Sequence, residues 1–354
     1  MTRLDRFLAQ PLFTQFDAAL ILRREDMRYL SGYTGEGALL ISREDKLLIT
    51  DFRYIVQAKA QAPGWTVTES QRGNTLDTVI ALAREKGYAS LGIEESHLTY
   101  AGFQQLSKGI GAVRFEDIGN SVEKLRAIKE PQELRAIAKA AQVADMGLRK
   151  ILDFVKPGMT EKEVQIELAY QCGKLGSEGF GFEFIVASGP NGAMPHAVAG
   201  GRKIQPGDLV TIDMGCLVDG YNSDMTRTFA IGNVSDELKK IYDTVLKAQL
   251  AALEALGPGK NGKDVDAVAR GIIAEAGYGD YFGHALGHGV GLMVHELPRL
   301  SPLIDMQLEP GMAVTVEPGI YVPDLGGVRI EDLCIVTQEG YLNLCSTTKE
   351  LIVL

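Results

Sequence analysis

The tightest constraint on this chain is the dipeptide Asp219-Gly220, which sits between two β-rich runs, Leu209 to Val218 and Tyr221 to Phe229. Asp-Gly favours the two-residue type I′ turn, whose twist matches that of a hairpin. Taking those two residues as the loop pairs Val218 with Tyr221 and sets the register beyond them: Asp213 faces Thr226 and Asp224 faces Gly215. Side chains alternate along a strand, so these four point to one side of the ribbon. Asp213 and Asp224 become diagonal neighbours, about 7–8 Å apart or less. Two carboxylates at that range repel each other unless a cation lies between them, and Gly215 leaves room beside them. The other reading is a pair of solvated aspartates on an exposed hairpin face. The apolar neighbours Val210, Ile212 and Phe229 favour burial, and with it the cation.

A second stretch repeats the theme with glutamates. Met312 to Glu317 reads as a buried strand stopped by Pro318-Gly319, and Val328 to Val336 reads as another after the turn Asp324 to Gly327. Glu317 and Glu331 thus fall among apolar strand residues, where an unpaired carboxylate is costly. Arg329 can pair with one of them but not cheaply with both. Between the two ribbons lies the glycine-rich run Gly283 to Glu296, which holds His284, His288 and His295. The chain has only five histidines, so three together point to imidazole chemistry. Gly287 and Gly289 let the backbone approach closely around His288. His196 follows Pro195 in a turn-rich loop ahead of the first aspartate strand. Two Asp, two Glu and one His make an oxygen-dominated ligand set that suits Mn2+, with Co2+ and Zn2+ as the other fits. Four carboxylates exceed the need of one transition metal and match two ions about 3.5–4 Å apart. Such a pair equips a hydrolase, making hydroxide available near neutral pH and polarising a carbonyl. The remaining histidines can donate to a tetrahedral intermediate.

Composition closes off other classes. Net charge is −10, from 36 Lys+Arg against 46 Asp+Glu, which argues against a phosphate-tracking surface and so against nucleic acid. No apolar run approaches the ~18–20 residues of a membrane span, and Met1 to Arg6 holds no unbroken apolar signal core. A cytoplasmic protein with no membrane partner is expected. The four cysteines, Cys172, Cys216, Cys334 and Cys345, are too sparse for a disulfide framework, so packing in a reducing compartment is their expected role.

At 354 residues the chain is long for one core, and two domains of about 100–200 residues are expected. The first part alternates short strands (Ala19 to Leu22, Ala38 to Ile41, Lys46 to Thr50, Leu91 to Ile93) with an amphipathic helix over 75–85. A boundary falls near 119–131. Pro131 then opens a helix that runs to about Val155. Pro157-Gly158 follows its end, and Thr160 with Glu163 forms the capping box of the next helix. The run Val155 to Val164 recurs as Leu256 to Val265, with Pro157/Pro258, Gly158/Gly259, Lys162/Lys263 and Val164/Val265 matched. The second domain is therefore expected to be two related halves, each a helix pair with strands.

These motifs resemble the pita-bread metallopeptidases, in particular the Xaa-Pro branch of Xaa-Pro dipeptidases (prolidases) and aminopeptidase P. The signature runs are Gly287-His288-Gly289-Val290-Gly291, Val316-Glu317-Pro318-Gly319 and Arg329-Ile330-Glu331-Asp332. Arg28 to Tyr33 and Thr50 to Tyr54 resemble the creatinase-type domain of this branch. The likeness covers essentially the whole chain. It implies an α/β (α+β) protein with a creatinase-like N-terminal α/β domain over 1–125. A pita-bread catalytic domain with pseudo-twofold halves would follow over 126–354. Asp213, Asp224, His288, Glu317 and Glu331 would ligate two divalent metal ions, with Asp213 bidentate and Glu331 bridging. His196, His284 and His295 would be substrate-side residues, joined by Arg329. Glu317 would double as proton shuttle, while His196 and His295 steady the oxyanion. Thr226 is either support behind the ligands or an ordinary cross-strand threonine.

The implied reaction is attack of a metal-bridging hydroxide on the carbonyl preceding proline, at the N-terminus of dipeptides or short peptides. Arg299, just after His295, is similar to an arginine that can hold the free proline carboxylate in some prolidases. It tilts the expectation towards a dipeptidase over an aminopeptidase acting on longer peptides; a solvated loop arginine is the plainer reading. The family also implies a homodimer or higher oligomer. Methionine aminopeptidases usually lack the N-terminal domain, and creatinases share it without the metal ligands. A non-catalytic binding module on this fold would have lost ligands that are intact here.

Overall fold

Short apolar runs separated by polar turns build the N-terminal part around one sheet. The computed structural model describes residues 1–70 and 74–354 and separates into two units, Met1–Arg126 and Ala127–Leu354. The first opens with α1 (Arg3–Leu8), β1 (Ala18–Ile21), α2 (Arg24–Ser31), β2 (Ala38–Ser42), β3 (Lys46–Thr50) and α3 (Ile55–Gln61). It continues with β4 (Thr66–Glu69), α4 (Thr75–Lys86), β5 (Ser90–Ile93), α5 (Tyr100–Ile110), β6 (Arg114–Asp117) and α6 (Ser121–Ala127). The strands lie in the order β4-β3-β2-β1-β5-β6, antiparallel across β1, β2 and β3 and parallel elsewhere. Both β1 and β2 are buried at every residue, which is why they read as unbroken apolar runs. The four strands expected here lie within a residue of their expected bounds, and α4 starts on an Asn74 cap where the amphipathic pattern begins.

The second unit begins with α7 (Pro131–Phe154) and α8 (Glu161–Lys174), followed by β7 (Ile185–Ser188), β8 (Leu209–Met214), β9 (Leu217–Val218), β10 (Tyr221–Asn222) and β11 (Met225–Ala230). Then come α9 (Asp236–Ala255) and α10 (Gly262–Glu275), with β12 (Gly287–Gly289), β13 (Glu296–Leu300), β14 (Ala313–Val316), β15 (Gly319–Val322), β16 (Gly326–Arg329), β17 (Asp332–Val336) and β18 (Tyr341–Asn343). The sequence repeat is a repeat of helix ends. Helices α7 and α9 stop on Val155 and Leu256, while α8 and α10 start from Thr160 and Asn261, the same positions of the two runs. Between them Gly158 and Gly259 take φ of 91° and 73°, and their N–H groups bond the Ile204 and Leu308 carbonyls at 2.8 and 2.7 Å. Each half keeps its own core. Leu148, Leu168, Val186 and Ile212 belong to the first, and Ile241, Val265, Val314 and Cys334 to the second.

Two antiparallel sheets, β11-β8-β7 and β13-β12-β14-β17-β18, and two short ribbons, β9–β10 and β15–β16, complete the unit. Two expectations need correcting. The run from Val328 to Val336 is not one strand, since β16 belongs to a ribbon and β17 to the five-stranded sheet, with a break at Ile330 and Glu331. Arg299 lies in strand β13, not in a loop. No helix among the described residues is long and apolar enough to cross a membrane.

Candidate active site

The Asp-Gly turn takes the form its residues dictate. Asp219 and Gly220 have φ of 47° and 67°, Val218 pairs with Tyr221, and Asp213 pairs with Thr226 along β8 and β11. The room expected beside Gly215 is filled: a Cβ there would meet the Ser223 carbonyl and the Phe182 ring. Asp213 and Asp224 nevertheless line the same cleft, of about 260 Å³, and so do the other eight candidate ligand and substrate residues: His196, His284, His288, His295, Arg299, Glu317, Arg329 and Glu331.

His288 sits in β12, where a Cβ on Gly287 or Gly289 would run into the Thr315 or Leu297 carbonyl. Only glycine permits that approach on both sides of the imidazole. Its Nδ1 lies 3.1 Å from the Gly289 carbonyl. A carbonyl can only accept, so Nδ1 carries the hydrogen. Nε2 then faces Glu317 Oε1 at 3.2 Å and Asp224 Oδ2 at 3.6 Å. One donor atom each from Asp224, His288 and Glu331 fall within 4.8 Å of one another.

Glu317 follows the last residue of β14 and accepts from Thr315 Oγ1 at 3.0 Å. Burial pushes its carboxyl up, but the His288 hydrogen bond and the charges of His288, His284 and Arg329 outweigh it and hold the group at about 2. Glu331 occupies the break before β17, where the chain passes from ribbon to sheet. Its Oε2 accepts from Thr226 Oγ1 at 2.6 Å, so Thr226 is more than a cross-strand neighbour. Burial first, then Glu331, Asp213 and Glu317, raise Asp224 well above the usual carboxylate range. Burial and then Glu317 and Asp213 do the same to Glu331. Asp213 is raised by burial against the opposing pull of Arg329. Asp213 Oδ1 and Glu331 Oε1 are buried without a hydrogen-bond partner. Mutually repelling carboxylates, two orphaned oxygens and an imidazole nitrogen turned towards them fit hard divalent cations; without a cation these groups must hold protons.

Arg329 pairs with neither glutamate. Its Nη2 lies 2.6 Å from Asp213 Oδ2, Nη1 donates to the Tyr321 hydroxyl at 3.0 Å and to the Pro195 carbonyl at 3.4 Å, and Nε donates to Thr226 Oγ1 at 3.1 Å. All three guanidinium nitrogens are thus engaged within the protein. Burial opposes that charge, but Tyr321 and Asp213 hold the guanidinium well above its ordinary value. Tyr321, in β15, escaped the sequence reading, and both it and Ile320 beside it are buried. Its hydroxyl meets His284 Nε2 at 2.9 Å, while His284 Nδ1 faces the Ala285 carbonyl at 2.8 Å. The donors therefore run one way, from Arg329 to Tyr321 to His284. Burial pushes Tyr321 up to about 12 and lowers His284.

His295 meets the His288 ring edge-on with centroids 4.2 Å apart. Burial and the neighbouring His288 and Arg299 charges lower it to about 4, so it is neutral near pH 7. Arg299 stands opposite His288 in the β12–β13 register. At the start of β13, Glu296 forms an ion pair with Lys129 at 2.8 Å, both side chains 1% exposed.

Comparison with known proteins gives consistent matches. The family model "Metallopeptidase family M24" matches residues 135–338, and "Creatinase/Prolidase N-terminal domain" matches residues 3–128. A structure of an Xaa-Pro dipeptidase from Bacillus anthracis superposes with a TM-score of 0.95 at 44% identity, covering 99% of each chain. An Xaa-Pro dipeptidase of Pyrococcus horikoshii is 39% identical over 95% of this chain and 94% of its own. An X-Pro aminopeptidase from Thermotoga maritima superposes with a TM-score of 0.88 at 36% identity, covering 96% of this chain and 98% of its own.

Proposed function

Because this chain belongs to metallopeptidase family M24 and carries the creatinase/prolidase N-terminal domain, we propose that it is an Xaa-Pro dipeptidase. The observation that carries the reading is the cleft itself. Its volume of about 260 Å³ lies below the ~300–1,000 Å³ of sites for drug-sized ligands, which suits a substrate of very few residues. Arg299 on its wall offers a fork to a free C-terminal carboxylate. Asp213, Asp224, His288, Glu317 and Glu331 would hold two divalent cations, and the oxygen-rich set favours Mn2+. Bound there, the cations supply a low-pKa water and Lewis acidity at the scissile carbonyl.

The chain's own groups do the rest. His196 and neutral His295 donate hydrogen bonds to the carbonyl oxygen as charge builds on it. Glu317 accepts a proton from the attacking water and delivers it to the proline nitrogen. Arg329 orients Asp213, and its donor relay through Tyr321 fixes the His284 ring. All four cysteines are free, which suits a cytoplasmic location. A homodimer is part of the reading, with Phe52 and Val56 (75% and 83% exposed) as apolar surface for a second copy to cover. Sedimentation at micromolar concentration tests it.

Aminopeptidase action on longer peptides is the second reading, favoured by the likeness to the Thermotoga maritima protein. The deciding assay offers the Mn2+-loaded protein Ala-Pro beside Ala-Pro-Ala and separates the products. Preference for Ala-Pro by kcat/KM is expected. Preference for the tripeptide would make the chain an aminopeptidase, and cleavage of neither would defeat both readings.

A further inference from the structure

The loop that carries His196 begins and ends on one side chain. Glu161 lies in the first turn of α8 with 0% of its surface exposed. Its Oε1 accepts from the Ser188 N–H and hydroxyl at 2.8 and 2.7 Å and from Asn191 Nδ2 at 3.0 Å. Its Oε2 accepts from Asn191 Nδ2 at 3.1 Å and from the Gly200 N–H at 3.3 Å. The helix backbone continues the seam, with the Glu161 and Lys162 N–H groups donating to the Arg202 and Gly200 carbonyls at 3.1 and 3.0 Å. Residues 188 and 200 therefore meet on a single carboxylate, and the stretch between them closes into a ring that presents Pro195 and His196 to the cleft. Along that stretch Gly192 lies against β16, where an added Cβ would stand 3.0 Å from the Gly327 nitrogen.

Helix α8 does not need Glu161 for itself, because Thr160 and Glu163 already complete its capping box. A carboxylate with no exposed surface is costly unless fully hydrogen-bonded, and the bonds to both Glu161 oxygens come from Ser188, Asn191 and Gly200 of the 188–200 loop. The other half has a glycine, Gly262, at the matching position of the repeat, and α10 holds its histidine segment by another device. There Asp266 accepts from the Leu286 N–H at 2.9 Å and binds Arg270, which donates to the Phe282 and His284 carbonyls at 3.0 and 2.8 Å. In both halves the second helix binds backbone of the segment that carries a cleft histidine.

We propose that Glu161 is a positioning residue for His196, closing the 188–200 loop so that the imidazole is held at the cleft. The proposal rests on His196 acting on substrate, and its test keeps the two ideas apart. Glu161→Gln preserves size but turns an amide N–H2 towards groups that are themselves donors. Amide hydrogen exchange in residues 189–201 should quicken at least about tenfold while α7 is unchanged. The kcat for Ala-Pro should fall about 10–100-fold, as misplacement of a reacting group by about 1 Å does, with Mn2+ affinity by calorimetry unchanged. In a His196→Ala background the same substitution should alter kcat less than about twofold, because the residues act as one unit. Unchanged exchange overturns the proposal, as does an equal loss in both backgrounds or a matching loss of Mn2+ affinity. If Glu161→Gln fails to fold, Asn191→Ala, which removes one donor, carries the same comparison. A wild-type protein inert towards Xaa-Pro peptides defeats the peptidase reading, and the exchange measurement then decides loop closure alone.

Discussion

Thr226→Val removes one hydroxyl that joins two parts of the site. Thr226 Oγ1 donates to Glu331 Oε2 at 2.6 Å and accepts from Arg329 Nε at 3.1 Å, and the residue is fully buried (0% exposed). Valine keeps the shape. Only the difference between metal-free and metal-bound states alters cation affinity. Without a cation Glu331 is held towards its neutral form, chiefly by burial, and a bond to a neutral partner contributes about 0.5–1.5 kcal/mol. With a cation Glu331 is a carboxylate, and the same bond contributes about 1.5–3 kcal/mol. The difference, about 1–1.5 kcal/mol, weakens binding by roughly tenfold. That agrees with the ~10–100-fold effect of removing a group that orients a metal ligand. Calorimetric titration of Mn2+ into chelator-treated protein reads it directly. An affinity within about twofold of wild type, with Tm lowered, would show that the hydroxyl only stabilises the fold and would refute the reasoning.

Three further outcomes follow from the same geometry. Asp224 and Glu331 are raised in the metal-free protein, burial first and neighbouring carboxylates next, so Mn2+ must displace protons. Its affinity should rise with pH, and titrations in buffers of different ionisation enthalpy should show proton release; none released would contradict the assignment. In the N-terminal unit Glu94 is pushed up to about 8 by burial and by Asp26, so the folded state keeps a proton that the unfolded chain loses near pH 4.5. Stability supported by that neutral carboxyl declines as pH rises from about 4.5 through 8. Glu94→Gln, which cannot ionise, should gain in Tm over wild type between pH 5 and pH 8, and an equal difference at both would rule this out. Arg299→Ala should raise KM for Ala-Pro far more than for Ala-Pro-Ala; equal changes would remove Arg299 from specificity.

What could be read in the chain beforehand was local. The Asp219-Gly220 turn carries its own register, so the pairing of Asp213 with Thr226 followed from the alternation of a strand. Pro157-Gly158 and Pro258-Gly259 announced matching helix ends because a helix stop is written in a few adjacent residues. The clustered histidines marked the cleft for a similar reason, since glycines around His288 have a purpose only where backbones crowd together. Partners distant in sequence were not legible. Arg329 was expected beside a glutamate but binds Asp213, a choice made by how β8 and β16 pack. The break at Glu331 has no glycine or proline to mark it, and its cause is the passage from one sheet to another. Tyr321 and Glu161 were not singled out, because nothing in their local sequence sets them apart. Their roles depend on His284, Ser188 and Gly200, which only the folded chain brings near.

The cleft donors enter the chain in an order with a practical result. Asp213 and Asp224 come from one half of the second unit, and His288, Glu317 and Glu331 from the other. A growing chain that has delivered both aspartates holds a negatively charged hairpin and nothing to finish it. On the ligand set proposed above, the cleft is complete only once Glu331 has joined the two halves by docking on Thr226.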